Sequence, residues 1–388
     1  MAANQLLKTP LHQWHVEQNG RMVDFAGWSM PVQYSSIIDE HRQTRQAIGM
    51  FDVSHMGRLY FTGDNVDVFL DGLTTRRVAN VECGKIRYSL MTNQSGGILD
   101  DVLVYHLPDI NGQPFHMMVV NASNRSKIVD WIESQKGDSN IEFQDRTTET
   151  AMIAVQGPKA NQAVGELSEA DPDSLAYYTG AMATIGDAEV LVSRTGYTGE
   201  DGCELIVPGD AAVSVWSQLM ELGQSVGGGA SGLASRDSLR LEAAMPLYGH
   251  ELSEKINAAQ ADLKFAINVK DREFIGRSAI LAARKDTSLR KRVGFVLEGK
   301  RAAREHCPVV VDGETIGEVT SGAFAPTVEK SISMGYVDPA FTKPGTKVQF
   351  DIRGKFHDGE VVELPFYCLL YTSPSPRDAT LSRMPSSA

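Results

Sequence analysis

Several polar clusters in this sequence have the residue types and spacing to do chemistry. In GGILDDVLVY (residues 96–105) two adjacent carboxylates, Asp100 and Asp101, stand where a glycine turn meets an apolar, β-branched stretch. Neighbouring side chains of an extended chain point to opposite faces, so one Asp can face water while the other turns inward. Asp is also common in turns because its side chain bonds nearby backbone. An inward carboxylate in a pocket would be a working acid or base; these residues alone leave both readings open. SRTGYTGEDGCEL (193–205) adds Tyr197, Glu200, Asp201 and Glu204 among glycines at 196, 199 and 202 that allow unusual backbone angles. Three acidic groups this close ordinarily make a solvated loop, but Glu204 begins an apolar strand, as Asp101 does. Cys203 reads as a small buried hydrophobe. In ASRDSLRLEAA (234–244) Arg236 and Arg240 are four apart and share a helix face. Either both are solvated, or one pairs with a carboxylate of the fold while the other offers its planar fork to an anionic ligand.

Other motifs carry less. His55 in DVSHMG has no second His or Cys at metal spacing and reads as a structural or pocket-lining histidine. GGGASG (227–232) matches G-x-G-x-x-G, but a helix rather than a strand precedes it, so it reads as a flexible connection. There is no G-x-S-x-G nucleophile elbow. Met50, Met56 and Met91 read first as core fillers.

The elements that must position these groups alternate. RMVDFAGWSMPVQY reads as strand, turn and strand; SSIIDEHRQTRQAIG as a helix capped by Ser36 and ended by Gly49. FHMMVVNAS is a buried strand, followed by a helix with Ile128, Trp131 and Ile132 on one face. TAMIAVQGPKANQAVGEL gives strand, turn and helix, and AEVLVSRTGYTGEDGCELIVP two strands around a long loop. This pattern predicts α+β rather than a doubly wound sheet. REFIGRSAILAARKDTSLRK reads as a helical linker, and beyond it short strands with frequent turns predict a small barrel.

The chain has 388 residues, a formal net charge of −12 and four scattered cysteines without a CxxC pair. That charge argues against a nucleic-acid binder with a broadly basic surface; the cysteines suggest neither a zinc site nor a disulfide framework. No apolar run reaches membrane-spanning length and the N-terminus has no signal core, so no membrane association and a cytoplasmic setting are expected. The last 21 residues, CLLYTSPSPRDATLSRMPSSA, change character abruptly. They read as an unstructured tail resembling translated sequencing adapter, with the natural terminus replaced just beyond Tyr367.

Taken in order, MVDFAGWSMPVQY, GMFDVSHMGRL, GGILDDVLVY, SRTGYTGEDGCEL, SRDSLRLEAAMPLYG and GEVTSGAFAPTVEKSISMGYV resemble the aminomethyltransferase (T-protein) family of the glycine cleavage system, from about Thr9 to Tyr367. The resemblance implies a three-lobed cloverleaf: two α+β lobes forming a folate-binding region (1–285) and a C-terminal β-barrel (286–367), followed by the tail (368–388). It implies tetrahydrofolate as co-substrate, no metal, and lipoylated H-protein as partner alongside the other glycine cleavage proteins, with a monomer expected. Asp101 then matches the catalytic carboxylate and Glu204 the residue that holds the pterin. Arg236 matches a folate-contacting arginine, and Met56, Tyr88, Tyr177 and Tyr197 match pocket-lining positions. Arg304 resembles a functional arginine of the barrel, with Arg301 as the competing match, and Tyr367 lies near a C-terminal folate contact. Met245 and AQADLKFAINVK (259–270) depart from the family pattern. Two rivals on the same scaffold are a folate-dependent demethylase acting on a small donor such as dimethylglycine or a sulfonium compound, and an iron–sulfur assembly factor. EDGCEL lacks the Lys-Gly-Cys-Tyr-x-Gly-Gln-Glu signature of the latter.

Overall fold

Alternation along the strands decides which side chains meet. In the computed structural model, which describes residues 5–109 and 111–368, an antiparallel five-stranded sheet runs in the order Lys85–Thr92, Ile98–Pro108, Pro114–Val120, Gly57–Gly63, Ile141–Asp145. A six-stranded sheet runs Gly180–Ile185, Ala188–Ser193, Gly202–Pro208, Thr150–Gln156, Gly49–Asp52, Gly229–Ala230, its last strand parallel to its neighbour. One face of each sheet is covered by helices: Leu59, Val102, Val104 and Met118 pack with Leu70, Ile128 and Ile132, and Ile153, Val155, Leu205 and Val207 pack with Val164, Val215 and Trp216. The opposite faces pack on each other through Phe51, Tyr105, Met117, Met152, Leu191 and Ile206. Burial of these apolar faces is the main stabilising term, and its geometry is a sheet-on-sheet sandwich with helices outside. The tail expected over 368–388 lies, from 369 onward, outside the described residues.

Parity along two strands places the polar residues of interest. Asp101 is in phase with Leu103 and Tyr105 and so faces the layer between the sheets; Asp100 is in phase with Val102 and Val104 and faces the helices. Glu204 is in phase with Ile206, on the layer between the sheets. Carboxylates from two different sheets are thus turned into one layer.

After residue 290 six strands close into a barrel in the order Lys291–Leu297, Lys330–Val337, Glu314–Ala325, Pro308–Val311, Lys347–Ile352, Lys355–Val362. The mixed α+β class with a terminal barrel is as expected. Three local expectations are corrected. The helix after Ser36 spans Ile37–Gln46, with the Ser36 hydroxyl accepting from the Asp39 amide at 3.1 Å; Gly49 instead opens a strand, where a Cβ would lie 2.0 Å from Thr44 Oγ1. The GGGASG stretch is no flexible connection. Its Gly229 and Ala230 pair with Gly49 and Met50, and a Cβ at Gly232 would meet the Val32 carbonyl at 2.4 Å. The charged stretch near 280 is helical only over Arg277–Ala283 and is anchored by fully buried Ile280 against Leu90, Ile98 and Leu252. Trp131 is half-buried, while Ile128 and Ile132 are fully covered.

One buried polar cluster ties the helix Ile37–Gln46 to the helix Leu233–Glu242, the barrel and the C-terminal segment. Arg45 donates to the Thr198 carbonyl at 2.7 Å, to Glu200 at 3.1 Å and to Glu242 at 2.9 Å. Glu242 also accepts from the Thr327 amide at 2.8 Å and meets His41 at 3.1 Å. Truncating Arg45 would leave two buried carboxylates short of their cation. Arg45→Ala is expected to lose about 3–5 kcal/mol of stability in urea unfolding, and Arg45→Lys to recover only part of it, because an ammonium cannot reproduce the fork.

Candidate functional site

A cavity of about 940 Å³ opens between the sheets, roofed by the barrel and the hairpin Arg21–Phe25/Trp28–Gln33. Asp101 lies on its wall. Strand pairing sets Leu90 across from Asp101, and Tyr88, two residues along the same face, donates its hydroxyl to Asp101 Oδ2 at 3.1 Å. Asn121, just past the neighbouring strand, donates Nδ2 to Asp101 Oδ1 at 2.8 Å and to Asp100 Oδ1 at 2.8 Å. Asp100 is fully buried and accepts also from the Asn121 amide at 3.0 Å and Asn124 Nδ2 at 2.6 Å. Alternation thus separates the pair: Asp100 is sealed against the helix layer, while Asp101 is half-buried on the cavity wall. Burial raises the Asp101 carboxyl above its ordinary range, opposed by the Asn121 and Tyr88 hydrogen bonds. Asp100 is raised by burial and then by the charge of Asp101.

Glu204 is buried on another wall, its Oε2 accepting from the Thr195 hydroxyl at 2.5 Å. Its Oε1 lies 4.0 Å from Arg236 Nη2. The Arg236 guanidinium rests 4.9 Å over the Tyr197 ring, and its buried Nη1 has no hydrogen-bond partner. The Tyr197 hydroxyl is committed to the Pro246 carbonyl at 2.6 Å. Four residues on, Arg240 binds Glu251 at 2.9 Å, Asp237 at 2.8 Å and Ser321 at 2.8 Å. Of the alternatives for this pair, Arg240 is the structural partner and Arg236 the arginine with spare donor capacity. His55 also lines the cavity, and burial pulls its imidazole down to about 4, so it is neutral.

The wall includes Asp101, Glu204, Arg236, Met56, Tyr88 and Tyr197, together with Arg304. Arg304 donates to the Gly322 carbonyl at 2.9 Å, whereas Arg301 is exposed and does not reach the cavity. Two expected residues stand elsewhere. Tyr177 is 39 % exposed and off the wall; its neighbour Tyr178, held at a φ of 60°, takes the cavity position. Tyr367 is not on the wall. Its hydroxyl donates to Glu200 at 2.7 Å and its ring lies 4.0 Å from the Arg45 guanidinium, so it belongs to the interlobe cluster. Asn121, Thr195 and Tyr178 were not singled out from the sequence; the one legible signal is an asparagine directly after the apolar run FHMMVV. Among the described residues, no group of three or more His, Cys, Asp and Glu is placed to hold a metal, and no helix is long and apolar enough to cross a membrane.

Comparison with known proteins gives one consistent family. Residues 11–271 match the GCVT N-terminal domain and residues 290–367 the glycine cleavage T-protein C-terminal barrel domain. The chain is 41 % identical over 372 residues to an aminomethyltransferase of Symbiobacterium thermophilum, covering 93 % of this chain and 97 % of that one. It is 41 % identical over 372 residues to an aminomethyltransferase of Streptomyces coelicolor, covering 95 % and 99 %. The crystal structure of glycine cleavage system aminomethyltransferase T from Bartonella henselae superposes with a TM-score of 0.86 at 31 % identity, over 93 % of this chain and 98 % of that one.

The raised carboxyls have a consequence for stability. Between the ordinary carboxylate value of 3.8 and the raised values, the folded state holds more protons than the unfolded chain, so stability falls as pH rises through that window. Asp101→Asn removes one charge and its repulsion on Asp100. It should flatten this fall and leave the variant more stable than the parent by about 1 kcal/mol at pH 8. Urea unfolding at pH 4.5 and pH 8 checks this; equal slopes for both proteins would show the two carboxyls to be uncoupled.

Proposed function

We propose, from the premise that this chain belongs to the glycine cleavage T-protein (aminomethyltransferase) family, that it transfers the methylene carbon of an aminomethyl-lipoyl arm to tetrahydrofolate. The products are 5,10-methylenetetrahydrofolate, ammonia and the dihydrolipoyl carrier. The partner is lipoylated H-protein, alongside the other glycine cleavage proteins, with this chain acting as a monomer in the cytoplasm. The folate-binding region is taken as 1–285 and the barrel as 286–367.

The observation that carries this reading is the pairing of Glu204 and Asp101, from two sheets, on the walls of one cavity that also presents an unpartnered Arg236 Nη1. A pterin offers a ring N–H beside an exocyclic amine, a fork that one carboxylate accepts with two parallel bonds. Glu204 is oriented for that role by Thr195. Arg236 has a free donor for an acceptor on the same ring, and Met56, Tyr197 and Tyr178 supply flat or soft apolar walls. Asp101, fixed by Tyr88 and Asn121, orients the folate nitrogens. It also stabilises positive charge developing on the carbon delivered by the arm. Its raised carboxyl can give and take a proton near neutral pH.

Loss of such a group typically costs about 10²–10⁴ in rate. Asp101→Asn should lose that much turnover of tetrahydrofolate with aminomethylated H-protein while binding folate within a few-fold of the parent. Normal turnover by Asp101→Asn with collapse in Asp100→Asn would overturn the assignment. Turnover of dimethylglycine or a sulfonium donor, without dependence on H-protein, would place the chain with the demethylases instead.

A further inference from the structure

Asp100 takes no part in that transfer, yet it is the more deeply buried of the two adjacent aspartates. It lies on the helix-facing side of its strand, in phase with Val102 and Val104, which pack with Leu70, Ile128 and Ile132. An apolar residue would serve that layer without electrostatic cost, whereas a carboxylate there has to be desolvated. Where the fold uses buried carboxylates to join elements it supplies a cation: Glu242 has Arg45 and Glu251 has Arg240, each at 2.9 Å. Among the described residues no cation pairs with Asp100 or Asp101.

What Asp100 holds is Asn121. It accepts from the Asn121 backbone amide at 3.0 Å and from Asn121 Nδ2 at 2.8 Å, while Asn124 Nδ2, at 2.6 Å, fixes the same carboxylate. A carboxamide nitrogen carries two hydrogens, and the same Nδ2 reaches Asp101 Oδ1 at 2.8 Å. One N–H thus goes to each carboxylate. With its backbone amide and one side-chain N–H committed to Asp100, Asn121 cannot turn over to present its oxygen to Asp101. Asp101 therefore meets a fixed donor on Oδ1 and the Tyr88 phenol on Oδ2 at 3.1 Å, and its remaining lone pairs are left for the cavity.

We propose that Asp100 is a positioning residue for the transfer reaction: it touches neither substrate nor co-substrate, and acts on Asp101 through the Asn121 carboxamide that the two carboxylates share. The inference rests on Asp101 being the working carboxylate and adds the residue behind it. Two effects run through the link. Asp100 fixes the orientation of Asp101 by pinning its donor. Its buried negative charge also opposes ionisation of Asp101, so the pair titrates as a unit above the ordinary carboxylate range. The other titratable groups near the pair bring no countercharge. The hydroxyls of Tyr88, Tyr197 and Tyr248 are kept neutral by burial, and Lys127 is taken up by Tyr248 at 2.8 Å and Glu254 at 3.1 Å.

The test is the pH profile of kcat for transfer from aminomethylated H-protein to tetrahydrofolate, on the parent, Asp100→Asn, Asp100→Ser, Asp101→Asn and the double Asp100→Asn/Asp101→Asn. In the parent kcat should rise as Asp101 ionises, through a limb above the ordinary carboxylate range. In Asp100→Asn the limb should move to lower pH by about 1–2 units, since the opposing charge is gone. Its plateau should fall about tenfold with the KM for tetrahydrofolate within about twofold, since the Asn121 donor is no longer pinned. Asp100→Ser, smaller and also uncharged, should move the limb equally; melting temperatures confirm that the variants are folded. On the Asp101→Asn background, Asp100→Asn should cost less than about twofold more, because it acts only through Asp101. A limb unmoved in both Asp100 variants, or losses that multiply in the double variant, would make Asp100 purely structural and overturn the inference. A parent limb within the ordinary carboxylate range would overturn it without any variant. Unimpaired turnover by Asp101→Asn would overturn the reading of Asp101 and this inference with it, whereas collapse in Asp101→Asn beside a parent-like Asp100→Asn would overturn the inference alone.

Discussion

Taking carboxylates out of water is the constraint around which the site is organised. Asp100, Glu204, Glu242 and Glu251 are buried and Asp101 is half-buried on the cavity wall, and each is met by specific donors. The two that face the cavity accept the fewest hydrogen bonds. Asp101 receives one amide and one phenol hydrogen bond, and Glu204 one hydroxyl hydrogen bond with a guanidinium at 4.0 Å. Of the carboxylates away from the cavity, Glu242 has Arg45 at 2.9 Å and Glu251 has Arg240 at 2.9 Å, whereas Asp100 has three amide hydrogen bonds and no cation. The cavity carboxylates are therefore left with acceptor capacity that the fold does not use.

The helix Leu233–Glu242 converts that constraint into architecture. Along one segment it presents Arg236 to the cavity, Ser238 to His41, Arg240 to the barrel through Ser321, and Glu242 to Arg45 and the Thr327 amide. The position of the cavity-facing Arg236 is therefore coupled to the seating of the barrel. Tyr367 acts at the same junction, since its backbone amide donates to the Glu242 carbonyl at 2.8 Å and its ring covers Arg45. A residue just beyond the barrel can thereby affect the cavity without lining it.

Local patterning made much of this legible. Glycine turns, apolar alternation and the Ser36 cap pointed to the strands and helices, because those signals act over a few residues. That Asp100 and Asp101 take opposite faces was also readable, as was the shared face of Arg236 and Arg240; the choice of Asp101 came from the family resemblance. What failed were statements about neighbours distant in sequence. GGGASG read as a flexible connection because nothing local shows that Ile48 and Val32 press on its glycines. Tyr177 was matched by family position, whereas the ring on the cavity wall is that of Tyr178, at a φ of 60°.

By itself the sequence determined the alternation of elements, the terminal barrel, the family, and the faces on which the polar groups must lie, since periodicity is a property of the local chain. Only the tertiary structure decided that the faces carrying Asp101 and Glu204 oppose each other across a cavity, and that Asn121 bridges both aspartates. It alone separated the committed Arg240 from the open Arg236. Those outcomes depend on pairings between residues 20 to 81 positions apart. Long-range packing sets them, and no local signal in the chain encodes it.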